Sequence, residues 1–319
     1  MRIYGAGLAG LIAAHMLRMQ NPTVHEAQSA LPDNHGALLR FRSNAAERET
    51  GLKFKRVDVT KAVYHRGSLF CQEAPLHCMN SYSQKVTGKI LSRSIKSLEP
   101  VQRFIAPANF IPAMAEKIDL YTEDPLNIEA IYHCADKGEP IISTIPMPAL
   151  MKIVGWDDVP EFHHKEIWSV VGEIEEPFCD VYQTIYDSSP QTSSYRFSIT
   201  GNKFIAEFID NPEKILKGDM HTMCQAILSE FFGINEDNLK ITTVEVKHQY
   251  YGKLMPIDEQ KRRAFILAMS NEYGIYSVGR FATWRQLLLD DIIQDVRVVE
   301  QFINDVDSYN RSMSNTKVN

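Results

Sequence analysis

The hydrophobic pattern opens on a short β-forming run, Met1-Arg2-Ile3-Tyr4, which passes into Gly5-Ala6-Gly7-Leu8-Ala9-Gly10 and then the apolar stretch Leu11-Ile12-Ala13-Ala14-His15-Met16-Leu17. With the strand-like Thr23-Val24-His25-Glu26 after it, this order predicts a β-α-β unit over residues 1–30. The turn Leu31-Pro32-Asp33-Asn34-His35-Gly36 ends the unit and a mixed basic segment follows. Short strand-like pieces such as Lys61-Ala62-Val63-Tyr64 occupy residues 61–103. Phe110 to Lys117 predicts a helix with proline in its first turn. Asp119 to Thr122 and Ala130 to Cys134 predict strands. Pro140 to Pro146 is continuously apolar, as a buried parallel strand requires. From Glu166 to Asp210 the pattern is β-rich, with strands expected at Ser169–Val171, Asp180–Tyr186, Tyr195–Ile199 and Phe204–Phe208. Turns containing Ser-Ser-Pro and Gly-Asn between them predict an antiparallel sheet. Met220 to Phe232 predicts an amphipathic helix stopped by Gly233. Gly274 to Gly279 predicts another buried strand, and a final helix is expected from Arg285 to Asn304.

Parallel-sheet signals therefore sit at both ends of the chain, with antiparallel ones between. The expected fold is α/β: a Rossmann-type dinucleotide-binding domain with an inserted antiparallel-sheet substrate domain. The first is expected over residues 1–60, 104–160 and 240–319, the second over 61–103 and 161–239.

The glycine loop carries the chemistry. In a G-x-G-x-x-G turn after a strand, the first glycine (Gly5) allows the tight turn and the second (Gly7) lets the backbone approach a pyrophosphate. The third (Gly10) lets helix and strand pack closely, and the helix N-terminus at Leu8 and Ala9 favours the phosphate charge. Glu26, sixteen residues beyond Gly10, closes the next strand where a carboxylate accepts from an adenosine ribose.

Composition changes this picture little. Apolar residues make up 44% and charged residues 23% of the 319, ordinary for a globular protein. No apolar run is long enough to span a bilayer, and the N-terminus lacks the basic region and cleavage site of a signal peptide. The five cysteines are scattered, without a CxxC pair; this argues against a disulfide framework or zinc site and fits a reducing cytoplasm. His163-His164 is the only adjacent histidine pair and lacks spaced partners, so no metal is expected.

Charge changes it more. The net charge is −6, yet His35 to Arg103 holds thirteen Lys or Arg against five Asp or Glu, leaving 21 basic and 35 acidic residues elsewhere. Such asymmetry fits a basic cleft directed at an anionic ligand, and equally a solvated basic face.

Four stretches carry a family resemblance: Gly5 to Gly10 with Glu26, Phe110 to Thr122, Ile142-Ser143-Thr144-Ile145-Pro146, and Gly279-Arg280-Phe281-Ala282-Thr283-Trp284-Arg285 with Asp290-Asp291. In this order they resemble the FAD enzymes that include amine oxidases, protoporphyrinogen oxidase and UDP-galactopyranose mutase. The last stretch is similar to the mutase signature G-R-x-A-x-Y-R-x-x-x-x-D, with Trp284 in place of tyrosine. The resemblance implies FAD as cofactor, with Gly279 and Arg280 against the diphosphate and ribityl chain. It places the backbone at Leu289 and Asp290 at the flavin pyrimidine edge, where helix amides stabilise negative charge near N1. Trp284 is equally suited to core packing, and Asp290 and Asp291 to opening a helix. The family's diglycine is reduced here to Asn34-His35-Gly36-Ala37, with Gly36 the remaining diphosphate candidate. No second GxGxxG is present, so a separate NAD(P)H domain is not expected.

The resemblance leaves several functions open. One is an FAD oxidoreductase or lyase taking hydride from a C–N bond of an anionic, amino-bearing substrate. A second is a mutase-like enzyme acting on a nucleotide sugar, with Arg40, Arg42, Arg196 and Arg285 as phosphate clamps and Tyr186, Tyr195, Tyr250 and Tyr251 as hydrogen-bond or stacking partners. Trp284 joins these substrate candidates. The chain also looks like bacteriophage flavoproteins that hypermodify thymine, which implies amino-acid-modified DNA as substrate and a host-cytoplasmic location; Arg40-Phe41-Arg42 would then serve as a phosphate-and-base groove. The last is a non-catalytic FAD-stabilised binding protein. No catalytic residue and no oligomeric state is legible.

Overall fold

A computed structural model of the chain describes residues 1–31, 39–90, 95, 97–175, 181–215, 219–235 and 239–316. The chain begins with β1 (Arg2–Tyr4), α1 (Leu8–Met16), β2 (Thr23–His25), β3 (Arg40–Phe41) and α2 (Ala45–Thr50). It continues through β4 (Lys55–His65), β5 (Ser68–Phe70), α3 (Leu76–Thr87), β6 (Val101–Ile105), α4 (Phe110–Ala115) and β7 (Asp119–Tyr121). Then come α5 (Ile128–Asp136), β8 (Ile141–Ser143), α6 (Met147–Val154), β9 (His164–Ile174), β10 (Tyr182–Asp187), β11 (Ser194–Thr200) and β12 (Lys203–Phe208). The last elements are α7 (Pro212–Ile215), α8 (Met220–Phe232), β13 (Ile241–Leu254), α9 (Glu259–Tyr273), β14 (Ile275–Ser277) and α10 (Leu289–Thr316).

Two sheets organise these elements. The first is fully parallel, in the order β14-β8-β1-β2-β7, with Ile3 between Val24 and Ile142 and Ile141 beside Ile275. Its central strands are the buried ones, with Ile3, Tyr4, Val24 and all of β8 shielded, as a parallel sheet requires, while the edge strand β7 is largely exposed. The second has nine strands, in the order β13-β9-β12-β11-β10-β4-β6-β3, with β5 folded back on β4. α8 lays Cys224 and Leu228 on the face bearing Phe197, Ile199 and Phe204, while α3 packs Cys78, Tyr82 and Val86 against Val63, Tyr186 and Tyr195. The α/β class and the parallel dinucleotide-type sheet are as expected.

Several expectations are corrected. The second sheet is mixed, because β10 pairs with β4 in parallel. It also takes up β3, all of β4, all of β6 and β13. Ala130 to Cys134 is helical, within α5: Asn127 caps it by accepting from Ala130 N at 2.8 Å, and this cap outweighs the strand propensity of Ile131-Tyr132. The final helix starts at Leu289 rather than Arg285 and runs past Asn304. Asp291 accepts from Leu288 N at 2.7 Å and fixes that start. Helix α3 lies where short strand-like pieces were expected, and helices α6 and α9 and strand β13 arise where no element was expected. Among the described residues no helix is long and apolar enough to cross a membrane.

α1 is a nearly uncharged helix seated in the core beside α2, α4 and α10. Its one ionisable residue, His15, is buried, and its Nε2 donates to Met114 O at 3.0 Å. Burial holds the imidazole below its usual pKa. The unfolded chain therefore takes up this proton first, and the stability it withholds is intact above about pH 6.5 and lost as pH falls through that value. The slope approaches but does not exceed about 1.4 kcal/mol per pH unit. Urea titrations at pH 7.5 and 5.5 are expected to show a smaller loss on acidification in His15→Gln than in the parent; equal losses would exclude His15 as its source.

Candidate dinucleotide site

The glycine loop lies at the carboxyl ends of β1, β8 and β14, where open parallel sheets bind ligands. Gly5 has φ +100°, and a Cβ there would lie 2.3 Å from Thr144 Oγ1. Thr144 in turn donates to the carbonyls of Tyr4 and Gly5, each at 3.1 Å. Gly10 is required by packing, since its Cβ would lie 1.9 Å from Gly5 O. Gly7 differs from both. Its backbone is extended and open to any residue (φ −72°, ψ 179°), and a Cβ there would meet no atom of the described residues within 4 Å. Among the described residues nothing calls for glycine at position 7, whereas a ligand against the Leu8–Ala9 end of α1 would.

Glu26 is placed at this loop, though its first partners are main-chain groups. One oxygen accepts from Ala6 N at 2.8 Å and the other from Gln28 N at 3.1 Å, with the residue 6% exposed. It thus braces the loop that it was expected to serve from across a ribose. Gly36 and its neighbours lie outside the described residues.

The far end of the chain completes the same corner. Val278 N donates to Ser143 O at 2.9 Å, and Gly279, at φ +91°, brings its backbone so close to α1 that a Cβ would lie 2.8 Å from Ala9 Cβ. Thr283 Oγ1 closes the turn on Gly279 O at 2.7 Å. Arg280 reaches across and donates from Nη2 to Gly252 O at 3.1 Å, beside the irregularity in β13. At this end the buried hydroxyls of Ser143 and Ser277 have no hydrogen-bond partner among the described residues. Leu289 and Asp290 open α10; the Asp290 carboxylate accepts from Arg42 N (2.7 Å), Ser43 N (2.8 Å) and Ser43 Oγ (2.8 Å), while the first amides of the helix are the donors that helical bonding leaves unused.

The substrate candidates separate into two groups. Arg196 is neutralised by Glu207, to which its Nη2 donates at 2.7 Å and its Nε donates as well, while Tyr195 donates its buried hydroxyl to the same carboxylate. Arg285 is held by both oxygens of Asp295 at 2.7 Å. Trp284 is 3% exposed and donates Nε1 to Met255 O, a core position rather than an open wall. Tyr186 is buried edge-on to Tyr82. Arg42 pairs with Asp291. Tyr250 and Tyr251 join His164 in an aromatic cluster, and Tyr251 also faces Phe281 and Trp284.

Arg40 behaves differently, and the register shows why. Arg40 stands opposite Ile105 and Arg103 opposite Val57, so alternation puts Arg40, Arg103 and Lys61 on one face of the second sheet. Arg40 lies 4.6 Å over the Tyr182 ring and reaches Thr184 Oγ1 at 3.4 Å, and Thr184 is opposite Lys61. Lys61 donates to Ser97 O and Arg103 to Gln102 O. Among the described residues no carboxylate forms an ion pair with any of these three cations. Burial and the neighbouring Arg103 and Arg40 hold Lys61 below its ordinary pKa, partly offset by Glu99; burial, Arg40 and Arg42 do the same to Arg103, partly offset by Asp290. Neither Lys61 nor Arg103 stands out among thirteen basic residues until β3, β4 and β6 are paired.

A groove of about 1050 Å³ lies elsewhere, between α9, α10 and β14, with Ile266, Tyr273, Val298 and Phe302 on its walls. It does not reach the glycine loop and is not the dinucleotide site.

No family model matches the sequence, and no curated protein is similar to it in sequence. Solved structures do share its fold. A reduced UDP-galactopyranose mutase superposes with a TM-score of 0.67 at 13% identity over 95% of each chain. A protein from Exiguobacterium sp. 255-15 assigned as a protoporphyrinogen oxidase gives 0.59 at 12%, over 95% of this chain and 98% of its own. Putrescine oxidase gives 0.56 at 11%, over 96% and 98%. At these identities the likeness is one of fold, and it extends along nearly the whole length of each.

Proposed function

We propose that this chain is an FAD-dependent oxidoreductase or lyase that takes hydride from a C–N bond of an anionic, amino-bearing substrate. The observation that carries the cofactor is Gly7, the glycine at the mouth of α1 whose Cβ position no described residue approaches within 4 Å. The loop Gly5 to Gly10, Glu26, Gly279, Arg280 and the start of α10 at Leu289 and Asp290 would hold FAD, which supplies a two-electron acceptor when bound. The structural neighbours' flavin chemistry supports that choice. The protein's own part would be placement: the N-terminus of α1 would hold the diphosphate, and the amides that open α10 would favour negative charge at the pyrimidine edge.

Arg40, Lys61 and Arg103 support the anionic half of the substrate. Three half-buried cations on one sheet face repel one another, and an anion bound between them relieves that repulsion. Loss of hydride from carbon, with the nitrogen lone pair forming the imine and a proton leaving nitrogen, needs only a neutral amine held in place. Amino-acid-modified thymine in DNA meets both requirements, offering an amine to oxidise and phosphates for the cationic face; a nucleotide sugar meets only the second. Phe41 does not contribute a stacking surface to this reading, because it is buried between Phe54 and Phe110.

Anaerobic mixing separates the reactions. Bleaching of the flavin band by an amine substrate supports the oxidase or lyase reading; bleaching by NADPH alone, with no amine effective, overturns it in favour of the mutase. With an effective substrate, Lys61→Met or Arg103→Met is expected to raise KM about tenfold with less effect on kcat, equivalent to about 1.4 kcal/mol of binding. A DNA substrate would add a steep loss of affinity with rising salt.

A further inference from the structure

Away from the glycine loop, the second sheet brings together three metal-ligating side chains. His65 ends β4, and His77 and Cys78 lie in the first turn of α3. One nitrogen of each imidazole and the Cys78 sulfur all lie within 4.8 Å of one another. The sulfur is 3.3 Å from His77 Nε2, and the two imidazole centroids are 5.4 Å apart at 74°. Cys78 is fully buried, His65 half-buried and His77 exposed, so the cluster has an inner wall and an outer opening.

The cluster is braced as well as close. Because β10 runs parallel to β4, Ser188 arrives beside His65: Ser188 N donates to Tyr64 O at 2.9 Å, and its hydroxyl lies 3.0 Å from His65 Nδ1. Ser81, one turn along α3, donates to Ser188 O at 2.7 Å. An outer hydrogen bond of this kind fixes the orientation of a ligating imidazole.

We propose that His65, His77 and Cys78 bind a single Zn²⁺ ion, with water in the fourth position. A thiolate with two imidazoles suits zinc and disfavours magnesium or calcium, which take oxygen donors. Tetrahedral zinc, with bonds of about 2.3 Å to sulfur and 2.0 Å to nitrogen, sets S···N at about 3.5 Å, so the Cys78–His77 pair is nearly in place and the rest needs closure on the order of 1 Å. The exposed His77 side chain is the one with room to swing. On binding, the thiol proton is released to solvent and the metal ties the end of β4 to α3. The proposal is independent of the flavin assignment.

The test uses the full chain, stripped with a chelator and titrated with zinc chloride against a chromogenic chelator. One zinc per chain is expected, and X-ray absorption at the zinc edge should show one sulfur and two imidazole nitrogens. Cys78→Ser and His77→Ala should each weaken binding by more than about 100-fold, while the exposed His133→Ala should leave it unchanged. Zinc should also raise the melting temperature of the parent but not of Cys78→Ser. Absence of stoichiometric zinc in the parent, a zinc shell without sulfur, or parent-like binding by Cys78→Ser would each overturn the site. The spectrum of the unaltered protein decides the matter even if a variant misfolds.

Discussion

Replacing Gly7 by valine is expected to empty the purified protein of flavin while leaving the polypeptide folded. Its Cβ meets no atom of the described residues within 4 Å and sits on an extended backbone that valine adopts, so the cofactor-free chain should lose no more than the cost of valine at a helix N-cap, about 1 kcal/mol. The same side chain occupies the approach to the α1 N-terminus, and FAD affinity should fall by more than about 100-fold, or about 2.7 kcal/mol. Gly10→Ala is the contrasting case. Its Cβ would lie 1.9 Å from Gly5 O, a backbone clash that nothing can relieve without separating α1 from β1, so fold and flavin should be lost together. FAD titration alongside thermal unfolding of the cofactor-free variants distinguishes the two. Full flavin content in Gly7→Val would remove the observation on which the cofactor proposal rests.

Glu207→Ala should be among the most destabilising single substitutions in the second sheet. It leaves the Arg196 guanidinium and the fully buried Tyr195 hydroxyl without their common acceptor. Removing one partner of a buried pair costs about 3–5 kcal/mol, and the Arg196 side chain's 31% exposure places the expected loss near the lower end, about 3 kcal/mol. Glu207→Gln keeps an acceptor for Tyr195 and should lose less. Burial by itself would raise the Glu207 carboxyl, but Arg196 alongside holds it below the ordinary carboxylate range. Its contribution is therefore present above about pH 4.3 and disappears as pH falls through the lowered value, so the gap between parent and variant should narrow in acid. A constant gap from pH 7 to pH 3 would show that packing, not the ion pair, sets the loss.

What could be read from the chain follows from how local each signal is. Gly5, Gly7, Gly10 and the strands around Ser143 and Ser277 were legible because a turn, an apolar strand and a helix start are each written within a few residues. α5 was missed as a helix because Ile131-Tyr132 reads as strand, and the deciding atom, Asn127 Oδ1, lies outside that run. α9 was missed because its polar positions nearly encircle it, and its start rests on Asp258 accepting from Gln260 and Lys261. At the site, excess positive charge was visible as a property of residues 35–103, but which cations converge depends on strand pairing. Arg196 and Arg285 looked as available as Arg40, and only their partners Glu207 and Asp295 show otherwise. The grouping of His65 with His77 and Cys78 likewise depends on how α3 folds back on β4.

The order β14-β8-β1-β2-β7 has a consequence for biosynthesis. β1 and the Gly5 turn that follows it leave the ribosome well before β14 and the Gly279 turn that packs on Ala9, which emerge only after residue 274. Pairing segments so distant in the chain is slow, because loop closure must precede any reward from contact. A nascent chain halted at residue 270 thus carries the whole glycine loop and still lacks the Gly279 turn that closes on it. This corner is therefore completed only after both sheet halves have been made, and until then the apolar ends of β1 and β8 need shielding by other means.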